Sequence, residues 1–264
     1  MCYDIQIHRR NALTRARLRG EMELAAELEK LLESTGVQPY FHVSGFAHPR
    51  IMVFVDPHHR LPEPMTWGLV PAWVKDRAQA KAMWNRTLNA RGETIFEKNA
   101  FRASARSKRC LIPLDGFFEH HHLGGSTYPY FIFRKDRGAM MVGGLWEEWV
   151  DRATGEMMKT FAIVTTAANE LMARIHNKIP EEDGRPIGPR MPLILPEDLE
   201  DAWLRPVKDD AGQDAIKELI KAFPADELEA YPVRRLRGKE AVGNVPEAGQ
   251  EFVYPELQLS DPLA

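Results

Sequence analysis

Cys110-Leu111-Ile112-Pro113-Leu114-Asp115-Gly116-Phe117-Phe118-Glu119-His120 is an apolar run closed by acidic and imidazole side chains. An uninterrupted apolar segment of this length, with no helical spacing of polar residues, predicts a buried β-strand from Cys110 to Phe118. Cys110 is then a small core residue. Working outward, further β-rich runs lie at Ile51 to Val55, Tyr128 to Phe133, Met140 to Leu145, Phe161 to Thr165 and Met191 to Leu195. Turn words separate them: Asp56-Pro57, Gly124-Gly125 and Ala153-Thr154-Gly155, the last joining Trp149 to Met158 as a hairpin. Helical patterns fall at Glu93 to Arg106, Ala168 to His176, Pro196 to Leu204 and Gln213 to Phe223, the last two with acidic starts. A further amphipathic helix over residues 12–34, ended by Gly36, has the pattern of an insertion that packs on the rest. The expected fold is α+β: a single domain over residues 1–256, with a mainly antiparallel, curled and barrel-like sheet core and peripheral helices. Residues 257–264 form a frayed tail.

The chain has 264 residues, 44% of them hydrophobic, which is enough for a sizeable core. It has two cysteines, Cys2 and Cys110, so no disulfide framework is expected and a reducing compartment fits. Neither a signal peptide nor an apolar run of about 20 residues is present, and the sequence predicts a cytoplasmic protein without a membrane partner. The net charge is −3, yet the stretch from Arg77 to Arg109 carries +7 and the remainder −10. That stretch is either a solvated basic face or a place where a polyanion is held.

Cys2 stands directly behind the initiator Met1. Trimming Met1 would leave an α-amine and a thiol on one residue. Such an amine, with an ordinary pKa of about 7.7–8.0, is partly unprotonated near neutrality and can attack an aldehyde. The neighbouring thiol can then close on the same carbon to give a thiazolidine. Glu119 ends an apolar strand beside two aromatics, where desolvation suits a carboxylate for general acid–base work. Asn89 precedes an expected helix, so it either caps that helix or orients a ligand hydroxyl. His176 lies at a helix end, where the dipole favours its protonated form and a proton could be shuttled. Glu119-His120-His121-His122 has the composition of a ligand cluster, but successive side chains of an extended segment point to opposite faces. No metal and no cofactor is expected.

Taken together, several words resemble the SOS response-associated peptidase family over nearly the whole chain. They are Met1-Cys2, Trp67-Gly68-Leu69-Val70-Pro71-Ala72-Trp73, Asn89-Ala90-Arg91-Gly92-Glu93-Thr94 and Arg109-Cys110-Leu111-Ile112-Pro113-Leu114-Asp115-Gly116-Phe117-Phe118-Glu119. After these come Thr165-Thr166-Ala167-Ala168-Asn169, Ile175-His176, Arg190-Met191-Pro192-Leu193-Ile194-Leu195 and Ala241-Val242-Gly243-Asn244-Val245. The resemblance implies a protein that shields abasic sites in single-stranded DNA. It implies that Cys2 forms a thiazolidine cross-link, that Asn89 and Glu119 position and protonate the opened sugar, and that His176 assists ring opening and reversal. Arg91 is implied to hold phosphate.

Thr165 and Trp73 join Arg91 as DNA-contact candidates, Trp73 either stacking a flanking base or packing in the core. Lys178 or Arg190 supplies a further phosphate contact, with the Pro- and Gly-containing stretch from Lys178 to Pro189 between them. Two positions depart from the family pattern. Tyr3-Asp4 replaces the usual Gly-Arg, which removes a positive charge and adds a negative one, and His42 stands where an asparagine is usual. The expected partner is single-stranded DNA containing abasic sites, and the expected state is a monomer. A rival reading is a peptidase or amidohydrolase with self-processing activity, using Cys2 as nucleophile and His176 or Glu119 as base.

Overall fold

The apolar run forms two strands, and the chain changes sheets between them. In this computed structural model the described residues are 2–8, 13, 16–17, 19–55, 61–178, 181–182 and 185–257, with the backbone alone described at 181–182 and 185–186. In chain order the strands are β1 (Asp4–Ile7), β2 (Tyr40–Ser44), β3 (Arg50–Val53), β4 (Glu63–Trp67), β5 (Asn89–Arg91), β6 (Arg109–Leu114), β7 (Gly116–Leu123), β8 (Ser126–Arg134), β9 (Met140–Val150), β10 (Met157–Ala167), β11 (Glu181–Glu182), β12 (Arg185–Pro186), β13 (Arg190–Pro192), β14 (Ile194–Leu195) and β15 (Leu228–Pro232). The α-helices are α1 (Met22–Thr35), α2 (Arg77–Trp84), α3 (Arg102–Ser107), α4 (Glu170–Ile175), α5 (Glu200–Leu204) and α6 (Asp210–Glu218).

One sheet runs β15-β8-β7-β1-β2 and is antiparallel throughout. The other runs β14-β9-β10-β4-β3, with β6 added on β9 and both β5 and β13 on β10. Among the described residues, β10 with β4 and β10 with β5 are the pairs that run in parallel in this second sheet. The two sheets curl over a shared core without closing into a barrel. Ile5, Phe117 and Phe131 contribute to that core from the first sheet and Ile51, Trp67, Cys110 and Ile112 from the second. The second sheet is also buried on its far side, where Leu111, Met141, Val164 and Leu193 pack with Trp203 of α5 and Ile216 of α6. A strand covered on both faces has no polar alternation, which is why every residue of β6 is buried and the run reads as continuously apolar.

The break falls at Asp115. Its backbone N–H donates to the Gln6 carbonyl at 3.0 Å and its carboxylate accepts the His8 N–H at 2.6 Å, so the chain crosses to the other sheet there. A Cβ on Gly116 would stand 2.5 Å from the Ile132 carbonyl oxygen, which leaves glycine as the residue that fits the crossing. Both hairpins follow their turn words. Leu123 pairs with Ser126 around Gly124-Gly125, whose φ values of 56° and 79° match a two-residue primed turn. Val150 pairs with Met157 across the second turn.

The helical expectations hold less well. The helix over 12–34 is interrupted by a turn at Arg19-Gly20, with part of its first half outside the described residues; Gly36 does end α1, at φ 63°. Glu93 to Arg106 is not one helix but a short 3-10 turn at Gly92–Thr94 followed later by α3. Of the expected tail, Leu257 is buried at 2% exposure and residues 258–264 lie outside the described residues. Among the described residues no helix is long and apolar enough to cross a membrane.

Candidate active site

β1 lies between β2 and β7, with Asp4 opposite Phe118, so the antiparallel register carries the start of the chain toward Glu119. Cys2 is 1% exposed. Asn89 Nδ2 donates to the Cys2 carbonyl at 2.8 Å, tying the chain start to β5 of the other sheet. Asn89 is therefore a strand residue, paired in parallel with Ile163, and not the helix cap that was one reading of it. Its Oδ1 is buried and has no hydrogen-bond partner among the described residues. Burial pushes the Cys2 thiol well above its ordinary pKa, and the Glu119 charge pushes in the same direction, so the sulfur rests as S–H.

Glu119 and His176 are each 7% exposed. Glu119 Oε2 lies 3.4 Å from His176 Nδ1, and its Oε1 accepts the His120 N–H at 2.9 Å. The Arg190 carbonyl oxygen is 3.2 Å from the same Nδ1. Glu119 Oε2 and the Arg190 carbonyl can accept a proton held on Nδ1, while the Arg190 backbone N–H points at the same nitrogen at 3.4 Å, so Nδ1 is faced by both acceptors and a donor. His176 follows the last residue of α4, as the sequence predicts, but its neutral state runs against what the helix dipole favours. Burial lowers its pKa, and Glu119 offsets this only in part, so the neutral ring is favoured.

The clamp that brings His176 to Glu119 was not legible as a motif. His121 Nδ1 lies 3.2 and 3.3 Å from the carbonyls of Arg174 and Ile175, the end of α4. Asn177 imitates a strand partner: its Oδ1 accepts the His122 N–H at 2.8 Å and its Nδ2 donates to the His122 carbonyl at 2.7 Å. At the other end Asn169 caps α4, accepting the Met172 N–H at 2.8 Å. The signal available in the sequence was the run of three consecutive histidines after Glu119. Among the described residues no three His, Cys, Asp or Glu side chains are grouped so as to hold a metal ion.

Glu119 and His176 open onto a cleft of about 520 Å³ whose lining includes Tyr3, Asp4, His120, Lys178, Arg235 and Arg237. Of the five DNA-contact candidates, Lys178 alone lines this cleft. Arg190 is 2% exposed and turns inward: its Nη1 and Nη2 donate to Glu93 at 2.6 and 2.8 Å, and Nη2 also to the Thr165 carbonyl at 2.8 Å. Thr165 is fully buried. Between Lys178 and Arg190, the exposed cation is therefore Lys178. Arg91 is half-buried on β5, and its charge helps hold the Glu93 carboxyl below its usual pKa after Arg190 has done so. Trp73 is 49% exposed, which removes the core reading, and its Nε1 donates to the Asn99 carbonyl at 3.3 Å.

Asp4 is 1% exposed and ionised. One carboxylate oxygen meets His42 Nε2 at 3.0 Å and the other takes a hydrogen bond from Arg237 Nη2, and these partners outweigh burial to lower its pKa. The negative charge that Asp4 adds beside the chain start is thus covered by a residue 233 positions away. Asn244 secures the same C-terminal segment, its Oδ1 accepting the N–H groups of Phe41 and His42 at 2.7 and 3.2 Å.

A family model described as SOS response associated peptidase (SRAP) matches residues 1–240. Among curated proteins, the abasic site processing protein YoqW of Bacillus subtilis (strain 168) is 33% identical over 227 residues, covering 82% of this chain and 92% of the relative. The abasic site processing protein YoaM of the same organism is 34% identical over 211 residues, covering 80% and 84%. Among solved structures, a protein from Bacteroides thetaiotaomicron superposes with a TM-score of 0.78 at 30% identity, covering 96% of this chain and all of the other.

Proposed function

The chain belongs to the SOS response associated peptidase family, and from that premise we propose that it recognises abasic sites in single-stranded DNA and captures them covalently through Cys2 once Met1 is removed. The observation that carries this reading is the convergence at the start of β1. A residue able to present both an amine and a thiol is held by Asn89, beside the Glu119–His176 pair, at the edge of a cleft.

The abasic deoxyribose rests as a closed hemiacetal, so His176 takes the proton of the C1′ hydroxyl, the C1′–O4′ bond breaks, and the proton passes to O4′, which releases the aldehyde at C1′. The Cys2 α-amine adds to C1′; a C–N bond forms and the aldehyde oxygen takes a proton to become a hydroxyl. Glu119 relays the second amine proton to that hydroxyl, which leaves as water and gives an imine. Its carboxylate also stabilises the positive charge developing on nitrogen. The thiol then adds to C1′, forming the S–C bond, and its proton passes to the ring nitrogen. One aldehyde and one aminothiol give one thiazolidine and one water. While Met1 is attached, burial holds the Cys2 thiol well above its ordinary pKa, which disfavours a self-processing peptidase mechanism that begins from a thiolate.

Intact-mass spectrometry after incubation with abasic single-stranded DNA tests the reading. The expected product lacks Met1 and carries the oligonucleotide, less one water, in a heat-stable adduct. Cys2→Ser keeps the amine but yields no heat-stable adduct. A wild-type protein that forms none, or that cleaves peptides through Cys2 instead, overturns the proposal.

A further inference from the structure

We infer that Arg237 is a phosphate-binding residue of the cleft, held in position by the buried carboxylate of Asp4; this rests on the reading that the cleft takes abasic single-stranded DNA. Arg237 lines the cleft together with Glu119 and His176, and its side chain is 55% exposed whereas its partner Asp4 is 2% exposed. One end of the ion pair is thus fixed in the protein and the other faces solvent. A guanidinium presents five N–H donors in a rigid fork. The bond to Asp4 uses one face of that fork and leaves donors for a second, planar or tetrahedral, oxyanion.

The anchoring has further support. Asp4 sits in the middle of a sheet, between β2 and β7, and its second oxygen is fixed by His42, whose ring packs edge-on against Phe118 at 5.4 Å. The chain that brings Arg237 is held by Asn244 on β2 and by Arg235, which donates to the Thr127 carbonyl at 3.2 Å. Holding the side chain in advance removes much of the rotamer entropy that an arginine otherwise loses on binding. The other cations of the lining differ in this respect. Arg235 faces Glu240 at 3.2 Å, and Lys178 offers a point charge on a flexible stem. The ligand chemistry that fits is a phosphodiester next to the lesion, engaged while the sugar reaches Glu119 and Cys2.

The test uses single-stranded DNA carrying a tetrahydrofuran abasic analogue, which has no aldehyde, so that binding is read without chemistry. Fluorescence anisotropy over a range of salt gives the slope of log affinity against log salt. Each phosphate contact on a single strand contributes about 0.7 to that slope. Arg237→Gln, which keeps a hydrogen bond to Asp4 but not the charge, is expected to reduce the slope by about 0.7, and Arg237→Lys to restore it. The double variant Asp4→Asn with Arg237→Gln leaves the net charge unchanged and serves if the single variant does not fold; the same reduction is expected. A merely structural role would lower the melting temperature and leave the slope as in wild type, and an unchanged slope in a folded variant overturns the inference. If the wild-type protein itself fails to bind this DNA, it is the abasic-site reading that fails.

Discussion

Arg190 offers a sharp test of whether a cation in the family pattern serves DNA or the fold. Arg190→Met replaces the guanidinium with an apolar chain that fits the buried site. Glu93 is 43% exposed, so water screens its pair with Arg190, and that part is worth about 0.2–1 kcal/mol. The larger part is inside: the donations to the Thr165 carbonyl at 2.8 Å and Thr165 Oγ1 at 3.3 Å, of which a charge-assisted bond contributes about 1.5–3 kcal/mol. The expected loss is roughly 2–4 kcal/mol, a fall in melting temperature of about 4–8 °C for a chain of this size. The pH dependence supplies a second reading. The Glu93 carboxyl is held below its usual pKa, so its contribution is fully present above its unfolded value of about 4.3 and is lost as pH falls through the lower folded value. In Arg190→Met that part of the acid limb flattens. Calorimetry from neutral pH down to about pH 3, with salt-dependent DNA binding alongside, decides the matter. A variant as stable as wild type whose salt slope falls by about 0.7 would refute the reasoning and return Arg190 to the DNA.

Three further outcomes are expected. Glu119→Gln slows single-turnover cross-linking by a factor of about 10²–10⁴ while binding of the tetrahydrofuran analogue is retained, and a wild-type rate removes the carboxylate from the mechanism. Asn177→Ala loosens the clamp on α4 and lowers the cross-linking rate with little change in affinity; equal rates would mean that His176 is positioned without it. Arg109→Met removes a side chain 1% exposed that donates to the carbonyls of Ala105, Trp203 and Arg205, and whose pKa burial has lowered to about 10. Chemical denaturation is expected to show a loss of about 2–4 kcal/mol, and a neutral result would mean that the apolar replacement offsets these bonds in full.

What the sequence disclosed followed from how local its physical causes are. The hairpin at Gly124-Gly125 needs positive φ at two adjacent positions, and the β6 run needs only burial on both faces, so both are written in a few residues. Three-residue β5 has no period to detect. It exists because Asn89-Ala90-Arg91 lies parallel to Ile163-Val164-Thr165, and Glu93 just beyond it meets an arginine 97 residues away instead of starting a helix. The chemistry of Cys2, Glu119 and His176 could be named from residue types and words, whereas the clamp at His121 and Asn177 and the Asp4–Arg237 pair depend on contacts 53 to 233 residues apart. Asp4 is the plainest case. Its type alone announces a repulsive charge, and only the fold supplies the cation that covers it.

The burial of Cys2 also bears on how long the protein stays serviceable. Peroxides and disulfides react with thiolate, and a sulfur held as S–H at 1% exposure presents little of that species and little surface. If Cys2 acts as proposed, oxidation beyond the sulfenic stage would end that role, since a sulfinate cannot add to C1′. An N-terminal cysteine in the open would be consumed under the oxidising conditions that also damage nucleotides. Kept inside the sheet edge, the thiol proposed for capture is held in its reduced form.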